Sequence, residues 1–128
     1  MDAIGIAGSA LNTSQAWINA ISDNIANINT AKPTSGSAFQ AEYLQVQEQS
    51  GNNGVAVTGV VKGSAAGELV YDPTNAVADS SGYVRMPDID LGEQMSTLIM
   101  AQRGYEANAA VVDRAKSSYE AALEIGRS

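Results

Sequence analysis

The sequence predicts an α+β fold in which long N- and C-terminal helices form a coiled coil, with a small, mostly antiparallel β body inserted between them. Three observations carry this. Ile4, Leu11, Ile18 and Ile25 recur at every seventh residue, with Ile21 and Ile28 three places after the last two. Leu91, Leu98, Tyr105, Val112 and Tyr119 repeat the same spacing near the other end. Between them, β-branched runs alternate with clusters of Gly, Asn, Asp and Pro, the pattern of short strands and turns. Residues 1–30 and 90–128 are therefore expected to form the helical part, and residues 31–89 the inserted body. Two heptad segments flanking one body describe a subunit whose ends pair with each other or with neighbours.

The first helix is expected from Asp2 to Asn29, ~40 Å at 1.5 Å per residue. With Ile4, Leu11, Ile18 and Ile25 at one seam position, Ala7, Ser14, Ile21 and Ile28 fall at its companion. Gly5, Gly8, Asn12 and Thr13 each weaken the first half relative to alanine. The N-terminal third is therefore expected to fray in the free subunit and to order when a partner covers the isoleucine seam. The run Asn27 to Pro33 ends the helix, since asparagine favours turns and Pro33 disfavours helical geometry at Lys32. A Ser/Gly-rich linker, Pro33 to Ala38, follows.

Phe39 to Glu48 reads as a strand, with Phe39, Ala41, Tyr43 and Gln45 on one face and Leu44 and Val46 on the other. Ser50 to Gly54 is a turn, and Val55, Val57, Val60 and Val61 mark a second strand. Short strands are expected at Glu68 to Tyr71 and Tyr83 to Met86, separated by the turn residues Asp72-Pro73-Thr74-Asn75 and Asp79-Ser80-Ser81-Gly82. The middle is thus a Gly-punctuated body of three or four strands. The last helix opens with Asp90 as N-cap and Glu93 three residues on, a reciprocal capping pattern, and should end near Ile125 before Gly126 as C-cap. The companions of its heptad are Gln94, Ala101, Asn108, Ala115 and Ala122, mostly small, which lets a second helix approach closely.

Composition excludes several function classes. The 128-residue chain has a net charge of −7, which opposes a nucleic-acid backbone or an anionic membrane leaflet as partner. It has no cysteine and no histidine, which removes disulfides, thiolate catalysis, Cys/His zinc sites and Ser-His-Asp triads. Met1 is followed by an acid rather than by basic residues and an apolar core, so no cleavable signal is expected. No run approaches the ~20 apolar residues that span a bilayer, so no membrane insertion is expected. Asp88, Asp90 and Glu93 fail the calcium-loop spacing, because Leu91 and Gly92 stand where oxygen ligands belong. The Gly/Ser segments match no phosphate-loop spacing. No catalytic residue, metal or cofactor is therefore expected. Trp17 lies at the edge of the seam, either as an interface anchor or buried within the subunit.

Two stretches resemble known proteins. Ser22-Asp23-Asn24-Ile25-Ala26-Asn27-Ile28-Asn29-Thr30 is similar to the SxN(I/L)AN…T signature of bacterial flagellar rod and hook proteins. Val70-Tyr71-Asp72-Pro73, Ala78-Asp79 and Gly82-Tyr83-Val84-Arg85-Met86-Pro87-Asp88-Ile89-Asp90 resemble the YDP…AD…GYV block of the proximal rod family FlgC. Arg103-Gly104-Tyr105-Glu106-Ala107-Asn108 is similar to a segment of that family's last helix.

The resemblance implies a non-enzymatic subunit of the flagellar basal-body rod, lying in the periplasm and exported by the flagellar type III apparatus. It implies polymerisation with itself and other rod subunits around a channel, beside ring and export-gate components, and transmission of motor torque. The residues expected at the assembly interface are Leu11, Trp17, Ile18, Ile21, Ile25, Ile28, Leu91, Leu98, Tyr105, Val112 and Tyr119. A charge at Ile21 or Tyr105 is expected to abolish assembly. The alternatives are another rod- or hook-type axial subunit and a coiled-coil adaptor of a type III export system.

Overall fold

The structure, a computed structural model, describes residues 3–127. Its elements in chain order are α1 (Ala3–Ala26), β1 (Glu42–Glu48), β2 (Val55–Lys62), β3 (Glu68–Tyr71), β4 (Tyr83–Met86) and α2 (Leu91–Arg127). An α+β fold with two long helices flanking a β body is what the heptads and the turn chemistry predict. The predicted start at Asp2 lies outside the described residues.

The two helices pack along each other in antiparallel sense. Asn24 Nδ2 donates to Gln94 Oε1 at 3.2 Å. Nearer the N-terminus of α1, a Cβ built on Gly104 would lie 3.7 Å from Ser14 Oγ. Moving ten residues back along α1 thus corresponds to ten residues forward along α2. In that register Ala3 falls opposite about residue 115 of α2. Residues 116–127 have no α1 beside them, and all are exposed. The longer helix therefore overhangs the shorter one by roughly three turns.

Helix termini differ from expectation in two places. α1 ends at Ala26 rather than Asn29, because Asn27 turns its amide onto the helix end. Its Nδ2 donates to the Asp23 carbonyl at 2.9 Å, its Oδ1 accepts from Thr30 Oγ1 at 3.2 Å, and its carbonyl accepts from the Thr30 N–H at 3.0 Å. Ile28 consequently lies in the turn after the helix instead of continuing the heptad. At the other end Gly126 is inside α2, not its C-cap. It is not among the glycines with positive φ and keeps helical geometry. The predicted start of α2 agrees, with Asp90 Oδ1 accepting from the Glu93 N–H at 2.9 Å.

The β body is two separate two-stranded antiparallel hairpins rather than one sheet. β1 begins at Glu42, where its ladder with β2 starts; one further bond extends that register to Ala41, and Ala38 is drawn into a loop contact. The Ala38 N–H bonds the Ala65 carbonyl at 2.8 Å, and the Ala41 carbonyl accepts from the Gly63 N–H at 2.7 Å. In the β1–β2 hairpin the register slips between Gln45 and Val46, which pair with Gly59 and Val57 and leave Thr58 as a bulge. Such an extra residue bends and twists the hairpin. Leu44, Val46 and Val55 face α1 and, with Ala10 and Trp17, line a cleft of about 370 Å³.

The β3–β4 hairpin is tied to the linker instead. Lys32 and Arg85 exchange both backbone hydrogen bonds at 2.8 Å, and Arg85 Nη2 donates to the Thr34 carbonyl at 2.9 Å. Asp79 closes its connecting loop. The backbone N–H of Tyr83, Thr34 Oγ1 and the N–H of Ser81 all donate to this carboxylate and hold its pKa below the usual carboxylate value.

The apolar core is small. Among the described residues the fully buried apolar side chains are Ala7, Ala20, Ile21, Ala38, Ala41, Val84 and Ala101. Ile4 and Ile6, at the start of α1, are exposed. With Gly5 and Gly8 also weakening this end, amides of residues 7–12 are expected to exchange far faster than those of residues 20–26 in the isolated chain. They should slow on assembly. Hydrogen-exchange mass spectrometry checks this, and strong protection throughout residues 3–15 of the isolated chain would refute it.

Candidate assembly interface

α1 and α2 each carry two apolar series, and the fold divides them. The pair closes on the companion series. Ala7 and Ile21 are buried on α1, with Ala20 and Asn24 beside them, and Gln94 and Ala101 are buried on α2. Asn108 and Ala115 continue this face half-buried. Small side chains here bring the helix axes close together, as their size predicts. The larger heptad residues are displaced to the flanks of the pair.

The residues expected at the assembly interface therefore separate into three environments. Ile21, 3 % exposed, belongs to the subunit's own core. Leu11, Ile18, Ile25, Ile28, Leu98 and Val112 are half-buried along the flanks. Leu91, Tyr105 and Tyr119 are exposed. Trp17 is half-buried and lines the cleft beneath the β1–β2 hairpin.

Tyr105 of α2 and Leu11 of α1, with Gly5, Gly8, Asn12 and Gln15, line one open cleft of about 610 Å³. A Cβ placed on Gly8 would have no neighbour within 4 Å, so this strip of α1 is open enough for another chain to approach the backbone closely. Further along α2, the overhang exposes Tyr119, Leu123 and Ile125. Met95, Ile99 and Met100 are likewise exposed on the outer side of α2. Isolated exposed apolar residues are ordinary on a protein surface, but a run of them along one helix marks a contact surface.

Polar contacts fix how the β1–β2 hairpin lies on the helices. At its base, Asn24 Oδ1 accepts from the Glu42 N–H at 2.8 Å and Asn24 Nδ2 donates to the Glu42 carbonyl at 3.0 Å. At its tip, the Val55 N–H donates to Ser9 Oγ at 3.1 Å, while that hydroxyl donates to the Ile6 carbonyl at 2.7 Å. Gly54, with φ of +87°, is required here, because a side chain would collide with Ser9 Oγ. The fifteen steps from Ser9 to Asn24 span ~22 Å of helix, and the six steps from Glu42 to Glu48 span ~20 Å of strand. The hairpin is thus an arm laid along α1 and held at both ends. Tyr43, on the arm's other face, is brought beside the start of α2; burial, then the charges of Glu93 and Asp88, raise its pKa.

Sequence reasoning missed Asn24, Ser9 and Gln94 as determinants of this surface. Asn24 had a visible signal, since it is the first asparagine of the Ser22–Thr30 signature. Gln94 was marked only as a heptad companion facing a second helix, and Ser9 had no signal; their partners lie 70 and 46 residues away.

Among the described residues no cluster of acids could hold a metal ion, and no helix is long and apolar enough to cross a membrane.

Comparison with known proteins agrees with the signatures at both ends. The family described as "Flagella basal body rod protein" matches residues 4–34, and "Flagellar basal body rod FlgEFG protein C-terminal" matches residues 80–125. The chain is 36 % identical over 126 residues to the flagellar basal-body rod protein FlgC of Yersinia enterocolitica, covering 95 % of this chain and 94 % of that one. The FlgC protein of Salmonella typhimurium is 35 % identical over the same shares of both chains. That of Bacillus subtilis is 29 % identical over 144 aligned residues, 97 % of this chain and 96 % of its own. The resemblance extends through both helices and the β body, and the chain belongs to the FlgC family of flagellar basal-body rod proteins.

Proposed function

We propose that this protein is a structural subunit of the proximal flagellar rod that polymerises through its terminal helices around the export channel and transmits motor torque. It is not an enzyme; its family consists of rod proteins. The helical pair formed within residues 1–30 and 90–128 is the polymerising part, and residues 31–89 form the outer body. Its partners are further copies of itself, other rod subunits, and the ring and export-gate components beside them. It lies in the periplasm and reaches it through the flagellar type III apparatus.

One observation carries this reading. The core is mostly alanine, while α2 leaves Leu91, Met95, Ile99, Met100, Tyr105, Tyr119, Leu123 and Ile125 exposed along its length. A chain that buries its small residues and presents its large ones is stabilised mainly by what it binds. A head-to-tail contact between such surfaces, repeated without closing, generates a helical filament. Many equivalent contacts then share the torque, and no single one has to be strong.

A photo-crosslinking residue at Tyr119, on the overhang and 63 % exposed, tests the reading in flagellated cells. Purified basal bodies are expected to contain this subunit joined to a second copy or to another rod protein. Crosslinks only to proteins outside the basal body would overturn it.

A further inference from the structure

Apolar contact holds the β1–β2 arm on α1 but does not aim it. Apolar contact of the half-buried Leu44 and Val55 is favourable over a range of positions, because the hydrophobic effect has no direction. Direction needs hydrogen bonds: the tip has one, from the Val55 N–H to Ser9 Oγ, and the arm's base has a larger set that also reaches α2. Asn24 is 1 % exposed and Gln94 is 4 % exposed. The Asn24 carboxamide accepts from the Glu42 N–H and donates to the Glu42 carbonyl. This two-point exchange is what a residue of a neighbouring antiparallel strand would supply. Its remaining contact, to Gln94 Oε1 at 3.2 Å, ties the same amide to α2.

We propose that Asn24 is the positioning residue of the arm. It sets the line along which β1 leaves the helices, and Gln94 holds its amide facing Glu42, so that the arm takes one direction only once α1 and α2 have paired. No other side chain fits the role. Aspartate lacks the donors that the Glu42 carbonyl and Gln94 require, leucine lacks both functions, and glutamine carries its amide one methylene too far. A buried polar pair of this kind costs stability relative to well-packed apolar residues and selects one arrangement among several. In a helical polymer every copy must present its arm at the same angle. That last step rests on the rod-subunit reading, whereas the positioning role does not.

The absence of cysteine allows a direct test on the full chain. Spin labels at Gln47→Cys on the arm and Gln102→Cys on α2, both exposed positions, report the arm's direction as a distance distribution. The parent is expected to give one narrow peak. Asn24→Leu and Asn24→Asp are expected to lose it for a broad or multiple distribution. Gln94→Met keeps the side-chain volume but not the acceptor, and is expected to broaden the peak with helical circular dichroism retained. Should either Asn24 variant fail to fold, Gln94→Met decides alone. A narrow parent-like peak in Gln94→Met, or in a folded Asn24 variant, overturns the proposal. A broadened peak accompanied by normal incorporation into basal bodies would leave the positioning role intact and remove the arm's angle from the account of assembly.

Discussion

Ile21→Asp is expected to unfold the helical pair of the isolated subunit, not simply to block its assembly. Ile21 is 3 % exposed, and the buried residues nearest it in sequence are Ala20 and Asn24. A carboxylate there would lose its hydration, since a protein interior of this kind offers a charge no compensating partner. It would have to be protonated or drag the helices apart. Losing the isoleucine itself removes about 2–5 kcal/mol, and the buried charge adds to that. Against a core made largely of alanine, the total exceeds what the fold can absorb. Far-ultraviolet circular dichroism of the purified variant should show lost helix and no cooperative melt. A variant that melts like the parent yet fails to assemble would contradict the placement of Ile21 in the subunit's own core.

Tyr105→Asp should separate folding from assembly in the opposite way. Tyr105 is 37 % exposed and lies at the rim of the cleft that includes Leu11 and Gly8. Solvent reaches the substituted carboxylate, so the isolated subunit should lose only about 1–2 kcal/mol, mostly from reduced apolar contact. In a cell whose own copy is replaced, rod formation and swimming should fail, because each repeated contact would bury an unpaired charge. The informative comparison is between the two variants: Ile21→Asp unfolded as a purified chain, Tyr105→Asp folded but non-motile. Normal swimming by the Tyr105 variant would sink the assignment of this flank to the interface. The sequence alone treated these two positions as equivalent members of one seam.

That equivalence shows where periodicity stops being informative. The heptads made two helices legible, and Asp90, Pro33 and the glycine-rich turns made most element boundaries legible within a few residues. Periodicity marks which residues share a stripe. It does not say which of two adjacent stripes meets the partner helix, because large and small apolar residues both satisfy the pattern. The choice was made by distance of approach. Ala7, Ala101 and the other small residues let the backbones come together, and Tyr105 was left outside.

Other features depended on contacts that no local pattern encodes. The separation of the β body into two hairpins follows from the Lys32–Arg85 bridge, which ties β4 to the linker, and from Asn24, which ties β1 to the helices. The overhang of α2 was implicit in the unequal lengths of the two heptad segments. Only the Asn24–Gln94 register located it at the end that carries Tyr119, Leu123 and Ile125.

By itself the sequence determined the class of the protein: two heptad ends, an inserted strand-and-turn body, neither cysteine nor histidine, and signatures shared with flagellar rod proteins. These are properties of spacing and composition, which survive without coordinates. The tertiary structure alone decided which stripe is core and which is surface, and how the arm is aimed. Both depend on groups far apart in sequence competing for the same burial, and that competition is resolved only when the whole chain is packed.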